Sequence, residues 1–314
     1  MNRKRNFALC FVFLSGLLVP SVLGVVNPSS AVLPKTDQDP LPTRPWLRRF
    51  PKAFEKFFET HVGGRRWMVE THHFIDVFAF GVSPTQSVLM GKNGWAFLNQ
   101  DFMPESLAGG PFPEAQLEDW VRVFKHTQQT LSAWNGKLLV AVAPNKATIY
   151  SENLPDGVRS NLGVPRLDVF NQRLSDEGIE VLDLREPLIY AKTAGQLYAK
   201  RDTHWMGQGV LTAAEEISKR VAQVSGKEMA FNRSAFSLIP QRHQGDLATM
   251  MALAFGGEEV IHIPNPTVPT AVSTSATPAQ VSSGRFVFAQ GAVTFESKTV
   301  KGPSVLLFHD SFGQ

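Results

Sequence analysis

The sequence predicts an α/β domain built on a mostly parallel sheet. Three observations carry that prediction. Helical apolar stripes alternate with short runs that are apolar throughout: a stripe from Leu117 to Trp134 precedes Leu138 to Ala143, and Leu167, Phe170 and Leu174 precede Ile179 to Leu184. A strand apolar at every position suits a sheet covered on both faces. Boundaries coincide with helix-stop and breaker residues at Asn135-Gly136, Pro144 and Gly178.

The elements follow in order. Asn2-Arg3-Lys4-Arg5 is a positive leader to an almost wholly apolar stretch, Phe7 to Val26. Residues 1–26 therefore read as a signal peptide or a signal-anchor. About 20 apolar residues suffice to span a bilayer, while Gly24 and Ser29-Ser30-Ala31 suit cleavage. Either outcome carries the bulk of the chain out of the cytoplasm. The single cysteine, Cys10, lies in this stretch, so the exported part has no disulfides. Residues 27–49, rich in Pro, Ser, Thr and Asp, read as a flexible linker.

From Pro51 a helical face forms with Phe54, Phe57, Phe58 and Val62, ending at Gly63-Gly64. An aromatic stretch runs from Trp67 to Phe80, with His72-His73 expected half-buried within it. Asn93-Gly94, flanked by Val88 to Met90 and Trp95 to Leu98, signals a hairpin. The stripe of the next helix is Leu117, Trp120, Val121, Phe124, Leu131 and Trp134. Val210, Ala214, Ile217, Val221 and Val224 make a third helix. Thr267 to Ser283 reads as a mobile loop, Phe286 to Phe295 as β structure, and Val305 to Phe308 as a buried strand.

The net charge is +3 with no basic block, which argues against nucleic acid as a partner. Chemistry concentrates in two places. Asp202 and His204 are two apart, so in an extended segment they share a side, as a carboxylate orienting an imidazole requires. The alternative is that Asp202 caps the following helix while His204 packs on Trp205. No third ligand stands at a metal-site spacing, and no cofactor is expected. Ser311 follows an apolar run, where a hydroxyl at a strand's carboxyl end is poised as a nucleophile. Its alternative is an ordinary helix cap by Asp310 or Ser311. Asn145 and Lys146 follow a strand end and border any site there; Trp205 holds His204 or stacks on a ligand. Asp246 reads as a helix cap.

Taken together, Gly91-Lys92-Asn93-Gly94-Trp95, Pro144-Asn145-Lys146, Asp202-Thr203-His204-Trp205, Gly245-Asp246-Leu247-Ala248 and His309-Asp310-Ser311-Phe312 resemble, in this order, the alginate O-acetyltransferase family of AlgJ and AlgX. The resemblance runs from Phe50 onward. It implies a three-layer α/β/α, SGNH-hydrolase-like (flavodoxin-like) domain over residues 50–314. Its motif order is circularly permuted, because the serine follows the Asp/His pair. It further implies a periplasmic acyltransferase, free or anchored to the inner membrane by residues 1–26, in which Ser311 is the nucleophile, His204 the base and Asp202 its partner. The acceptor would be a polysaccharide hydroxyl and the acetyl donor a membrane-bound O-acyltransferase. The same residues also suit an acetylesterase, or a non-catalytic scaffold in an envelope polysaccharide complex. His309 stands where the family has glycine, and further family elements are expected after Gly313, so the domain reads as truncated at its C-terminus.

Overall fold

The computed structural model describes residues 65–100, 108–229, 231–267, 303–308 and 312, together with the backbone of strands 272–277 and 292–296. They fall into two units, Met1–Ile75 and Asp76–Gln314. The first contributes helix α1, Arg65–Ile75. On it His72 is exposed and His73 half-buried. The apolar segment 7–26, the linker and the helix expected from Pro51 lie outside the described residues. Among the described helices none is long and apolar enough to cross a membrane.

The second unit opens with a π-helical turn, Asp76–Phe80. The hairpin forms as Asn93-Gly94 predicts: β1 (Val88–Met90) pairs antiparallel with β2 (Ala96–Leu98). Asn93 (φ 55°) and Gly94 (φ 75°) supply the left-handed residues that turn it. Helix α2, Glu114–Ser132, ends where Asn135 turns left-handed (φ 55°) and the Gly136 N–H returns to the Leu131 carbonyl at 2.8 Å. Its buried residues are Leu117 and Val121. Two members of the expected stripe are corrected: Trp120 is 50% exposed and Trp134 83%. Trp120 sits at the stripe's flank, about 60° from Leu117 at 3.6 residues per turn, and Trp134 lies beyond the last helical residue.

Strand β3 (Leu139–Val142) leads into the short helices α3 (Lys146–Ile149) and α4 (Asp156–Arg159). Helix α5 (Arg166–Asp176) then returns to β4 (Glu180–Asp183), which pairs with β3 in parallel from Leu139↔Glu180 to Val142↔Asp183. Leu174, Ile179, Val121 and Val140 form the core beneath this crossover. Helices α6 (Arg185–Ala191) and α7 (Gln208–Ser225) follow. The α7 stripe proves shifted: Leu211 and Ala213 are buried, whereas Val210, Ala214 and Ile217 are half-buried. Next come β5 (Phe236–Gln244), α8 (Asp246–Met250) and β6 (Glu258–Pro266), with β5 and β6 forming a long antiparallel ribbon.

Among the described residues the strands make four two-stranded ladders, of which β3–β4 is the parallel one. Two expectations are overturned. The stretch from Thr267 to Ser283, expected as a mobile loop, contains β7 (Val272–Thr277), paired with β8 (Ala292–Glu296). Val305 to Phe308 is not a buried strand: it has no regular structure, and its four side chains are 54%, 74%, 60% and 70% exposed. An apolar run encodes a tendency to bury, but a strand also needs a hydrogen-bonding neighbour, and no described strand pairs with it.

Candidate active site

The site is a loop, residues 199–205, held by groups from distant parts of the chain. It begins where the core does. Tyr198 is fully buried among Trp95, Phe97, Tyr150, Leu184 and Leu188, and its hydroxyl donates to the Pro144 carbonyl at 2.7 Å. The Tyr150 hydroxyl accepts the Leu197 N–H at 3.0 Å. A lone bridge joins Tyr198 to Trp205 and closes the loop at its base.

Each segment of the loop backbone then finds a partner. Lys146, 3% exposed, donates to the carbonyls of Ala199, Lys200 and Asp202 at 3.2, 3.0 and 2.6 Å. The Glu259 carboxylate accepts the N–H groups of Lys200 and Arg201 at 2.9 and 2.8 Å. Asp246 accepts the Thr203 N–H at 2.8 Å and the Thr203 hydroxyl. The Ala96 N–H of β2 donates to the Lys200 carbonyl at 2.9 Å. Burial pushes the Lys146 amine down from 10.5 to about 7, against the opposing pull of Asp246, Glu259 and Asp202.

At the tip, Asp202 is buried (5% exposed) and hydrogen-bonded through both oxygens. Oδ1 accepts the backbone N–H of His204 at 2.8 Å and pairs with His204 Nδ1 at 2.8 Å. Oδ2 pairs with His243 Nε2 at 2.7 Å and accepts the Asp246 N–H at 3.1 Å. Burial alone would raise this carboxyl; the donors outweigh it and hold the group below its ordinary value. An ionised carboxylate only accepts, so His204 presents Nδ1–H to it and Nε2 is the basic nitrogen of the neutral ring.

The sequence-expected residues distribute as follows. Asp202 and His204 come together. Trp205 lies beside them, and its Nε1–H donates to the Phe312 carbonyl at 2.9 Å. The Phe312 ring sits 4.9 Å from that of His204 and edge-on to Trp205 at 5.3 Å. Ser311, Asp310 and His309 lie outside the described residues. Asn145 accepts the Ala147 N–H at 3.0 Å as the N-cap of α3, and Lys146 stands behind the loop. Asp246 is the first residue of α8, with Gly245 as its cap.

A cleft of 430 Å³ opens here, lined by Asp202, His204, Trp205 and His243 on its polar side and by Val210, Ile261 and Ile263 among its apolar residues. Donor atoms of Asp202, His204 and Asp246 lie within 4.8 Å of one another. Their carboxylates already take backbone N–H groups, which compete with a cation, so the cluster suits a hydrogen-bonded pair better than a metal shell.

Sequence reasoning missed His243 and Glu259. Both come from the β5–β6 ribbon, where His243 and Glu259 are register partners. The available signal was His243 standing two residues before Gly245-Asp246, itself part of the quoted motif set.

The model for an SGNH hydrolase-like domain, acetyltransferase AlgX, matches residues 88–293. A protein of Azotobacter vinelandii described as a probable alginate O-acetylase AlgJ is 26% identical over 267 residues, 84% of this chain and 66% of its own length. A protein of the same description from Pseudomonas syringae pv. tomato is 29% identical over 169 residues, 53% of this chain and 41% of its own length. The chain thus spans from 41% to 66% of the length of these two relatives. Among solved structures, the O-acetyltransferase domain of Pseudomonas putida AlgJ aligns with a TM-score of 0.38 at 22% identity, over 52% of this chain and 57% of that one. Bacillus cereus PatB1 aligns at 0.46 and 15% identity, over 67% of this chain and 65% of that one. With the matched span holding the paired Asp202 and His204 and the loop that carries them, the chain belongs to the AlgX acetyltransferase family of SGNH hydrolase-like domains.

Proposed function

We propose that the chain is an O-acetyltransferase that acetylates hydroxyls of an exported, alginate-like polysaccharide through an acetyl-serine at Ser311. One observation carries this reading: the residue next to Ser311, Phe312, lies ring to ring with His204 and accepts a hydrogen bond from Trp205. Consecutive Cα atoms are about 3.8 Å apart, which supports the proposal that the residue before Phe312 supplies the hydroxyl. The serine follows the Asp/His pair in the chain, the permuted order of a three-layer SGNH-like domain.

In the proposed reaction His204 Nε2 takes the Ser311 proton as Oγ attacks the acetyl carbonyl, and Asp202 stabilises the imidazolium. The donor's leaving group departs with that proton. A sugar hydroxyl then gives its proton to His204, attacks the acetyl-serine, and the proton returns to Ser311. Trp205 offers a face for the sugar, while Lys146 holds the loop from behind and Asn145 caps the short helix that carries Lys146. The family reading adds a membrane-bound O-acyltransferase as donor and a periplasmic setting, with residues 1–26 exporting or anchoring the chain.

Incubation with an aryl acetate and an alginate-like oligosaccharide tests this. Acetylated oligosaccharide is expected from the native chain, with a loss of at least about 10³-fold in Ser311→Ala. Acetate release with no acceptor acetylation would make it an esterase instead.

A further inference from the structure

We propose that His243 is a positioning residue that fixes the Asp202 carboxylate from the side opposite His204 and thereby sets the basicity of His204. The inference rests on the reading of His204 as the base. Asp202 is 5% exposed, so its second oxygen depends mainly on protein donors. Oδ2 takes the Nε2–H of His243 at 2.7 Å, Oδ1 the Nδ1–H of His204 at 2.8 Å, and the carboxylate lies between two imidazoles. The backbone N–H groups of His204 and Asp246 complete the set.

Two consequences follow. A carboxylate gripped at both oxygens cannot swing about its Cβ–Cγ bond, so the ring of His204 keeps one tautomer and one direction. Hydrogen bonds to a carboxylate also disperse its charge. With His243 donating, Asp202 has less charge to offer the His204 imidazolium than a bare carboxylate would. The charged groups packed about the pair are Asp246, 3.6 Å from His204 Nδ1, Glu259 across the ribbon from His243, and Lys146 on the Asp202 carbonyl.

The position of His243 favours this role. It stands next to last in a nine-residue strand, two residues before the Gly245 cap of α8, and lines the same cleft as His204. A residue there is held by a ladder, so its ring is delivered to Asp202 with little freedom.

The test follows the His204 ring by NMR through a pH titration of the full chain, alongside aryl acetate turnover. In His243→Ala, His204 is expected to titrate at least about half a pH unit higher, and kcat to fall about tenfold with KM little changed. His243→Gln, which returns an N–H donor at the Nε2 position, should restore both to near the native values. Should the alanine variant not fold, His243→Phe keeps a ring without the donor and is expected to show the same upward displacement. An unchanged His204 titration in the alanine or phenylalanine variant, or a glutamine variant as perturbed as these, would overturn the proposal. Failure of the acetyl-serine reading is distinguishable, because it shows as undiminished sugar acetylation in Ser311→Ala while the His204 titration still reports the hydrogen bond.

Discussion

Three carbonyl oxygens converge on one buried ammonium at Lys146, and that residue decides whether the Asp202–His204 loop keeps its shape. In its protonated form the amine has three donors and no acceptor, which matches the three acceptors presented. Lys146→Met would leave those carbonyls without their donor. The cost, about 2–4 kcal/mol, exceeds the relief of no longer burying a charge, and denaturant unfolding should show it. The pH dependence has a definite sign. The amine titrates near 7 in the folded chain against 10.5 ordinarily. Between these values the unfolded chain binds the extra proton, so the Lys146 contribution to stability rises as pH climbs from 7 toward 10.5. Urea midpoints at successive pH values should rise in the native chain relative to Lys146→Met; parallel curves would show that the amine is not depressed.

At the scale of elements, α8 and the loop are pressed together backbone to backbone. A Cβ at Gly245 would lie 2.0 Å from the Arg201 carbonyl oxygen and 3.0 Å from the Asp202 nitrogen. Neither is a flexible side-chain end that could move aside. Gly245→Ala should therefore destabilise by about 2–4 kcal/mol and displace the loop, read as lost His204–Asp202 coupling in the imidazole spectrum. Gly157 in α4 is the control, because a Cβ there meets nothing within 4 Å. Gly157→Ala should be neutral or stabilising by up to about 1 kcal/mol, checked by thermal unfolding.

The elements also explain what could be read in advance. Helices α2 and α5, the β3–β4 crossover and the Asn93-Gly94 hairpin were legible because periodicity and turn chemistry are local. Asp202 and His204 were legible because they stand two apart, although the segment proves a bent loop and not an extended strand: Asp202 Oδ1 takes the His204 N–H two residues on, and that turn brings carboxylate and ring together. The β5–β6 ribbon was not: Pro240, Pro264 and Pro266 break the strand pattern, and a ribbon that is two-stranded among the described residues tolerates them because Pro is accommodated on edge strands. His243 and Glu259 went unseen with it, since only the ribbon's register brings them to the loop. Val305 to Phe308 misled because hydrophobicity names no partner.

For the molecule as a whole, site and core are one body. The cluster of Trp95, Phe97, Ile149, Tyr150, Leu184, Leu188 and Tyr198 also packs Trp205 and Phe312 on its margin. Leu188 is fully buried there. Leu188→Ala should cost about 2–5 kcal/mol. Because Tyr198 and Trp205, at the base of the loop, pack in or against this cluster, loss of aryl acetate turnover and of tryptophan burial should coincide along a urea series. Separation of the two curves would mean that the loop melts as an independent unit.

The scattered anchoring of the loop limits how this machinery can be moved. Lys146, Asp246, Glu259 and the Ala96 amide reach it from four remote stretches of sequence. An engineer who transplanted the short Asp-Thr-His-Trp tetrapeptide into another scaffold would carry over the reactive pair without its mountings, and the graft would have the right letters and the wrong shape.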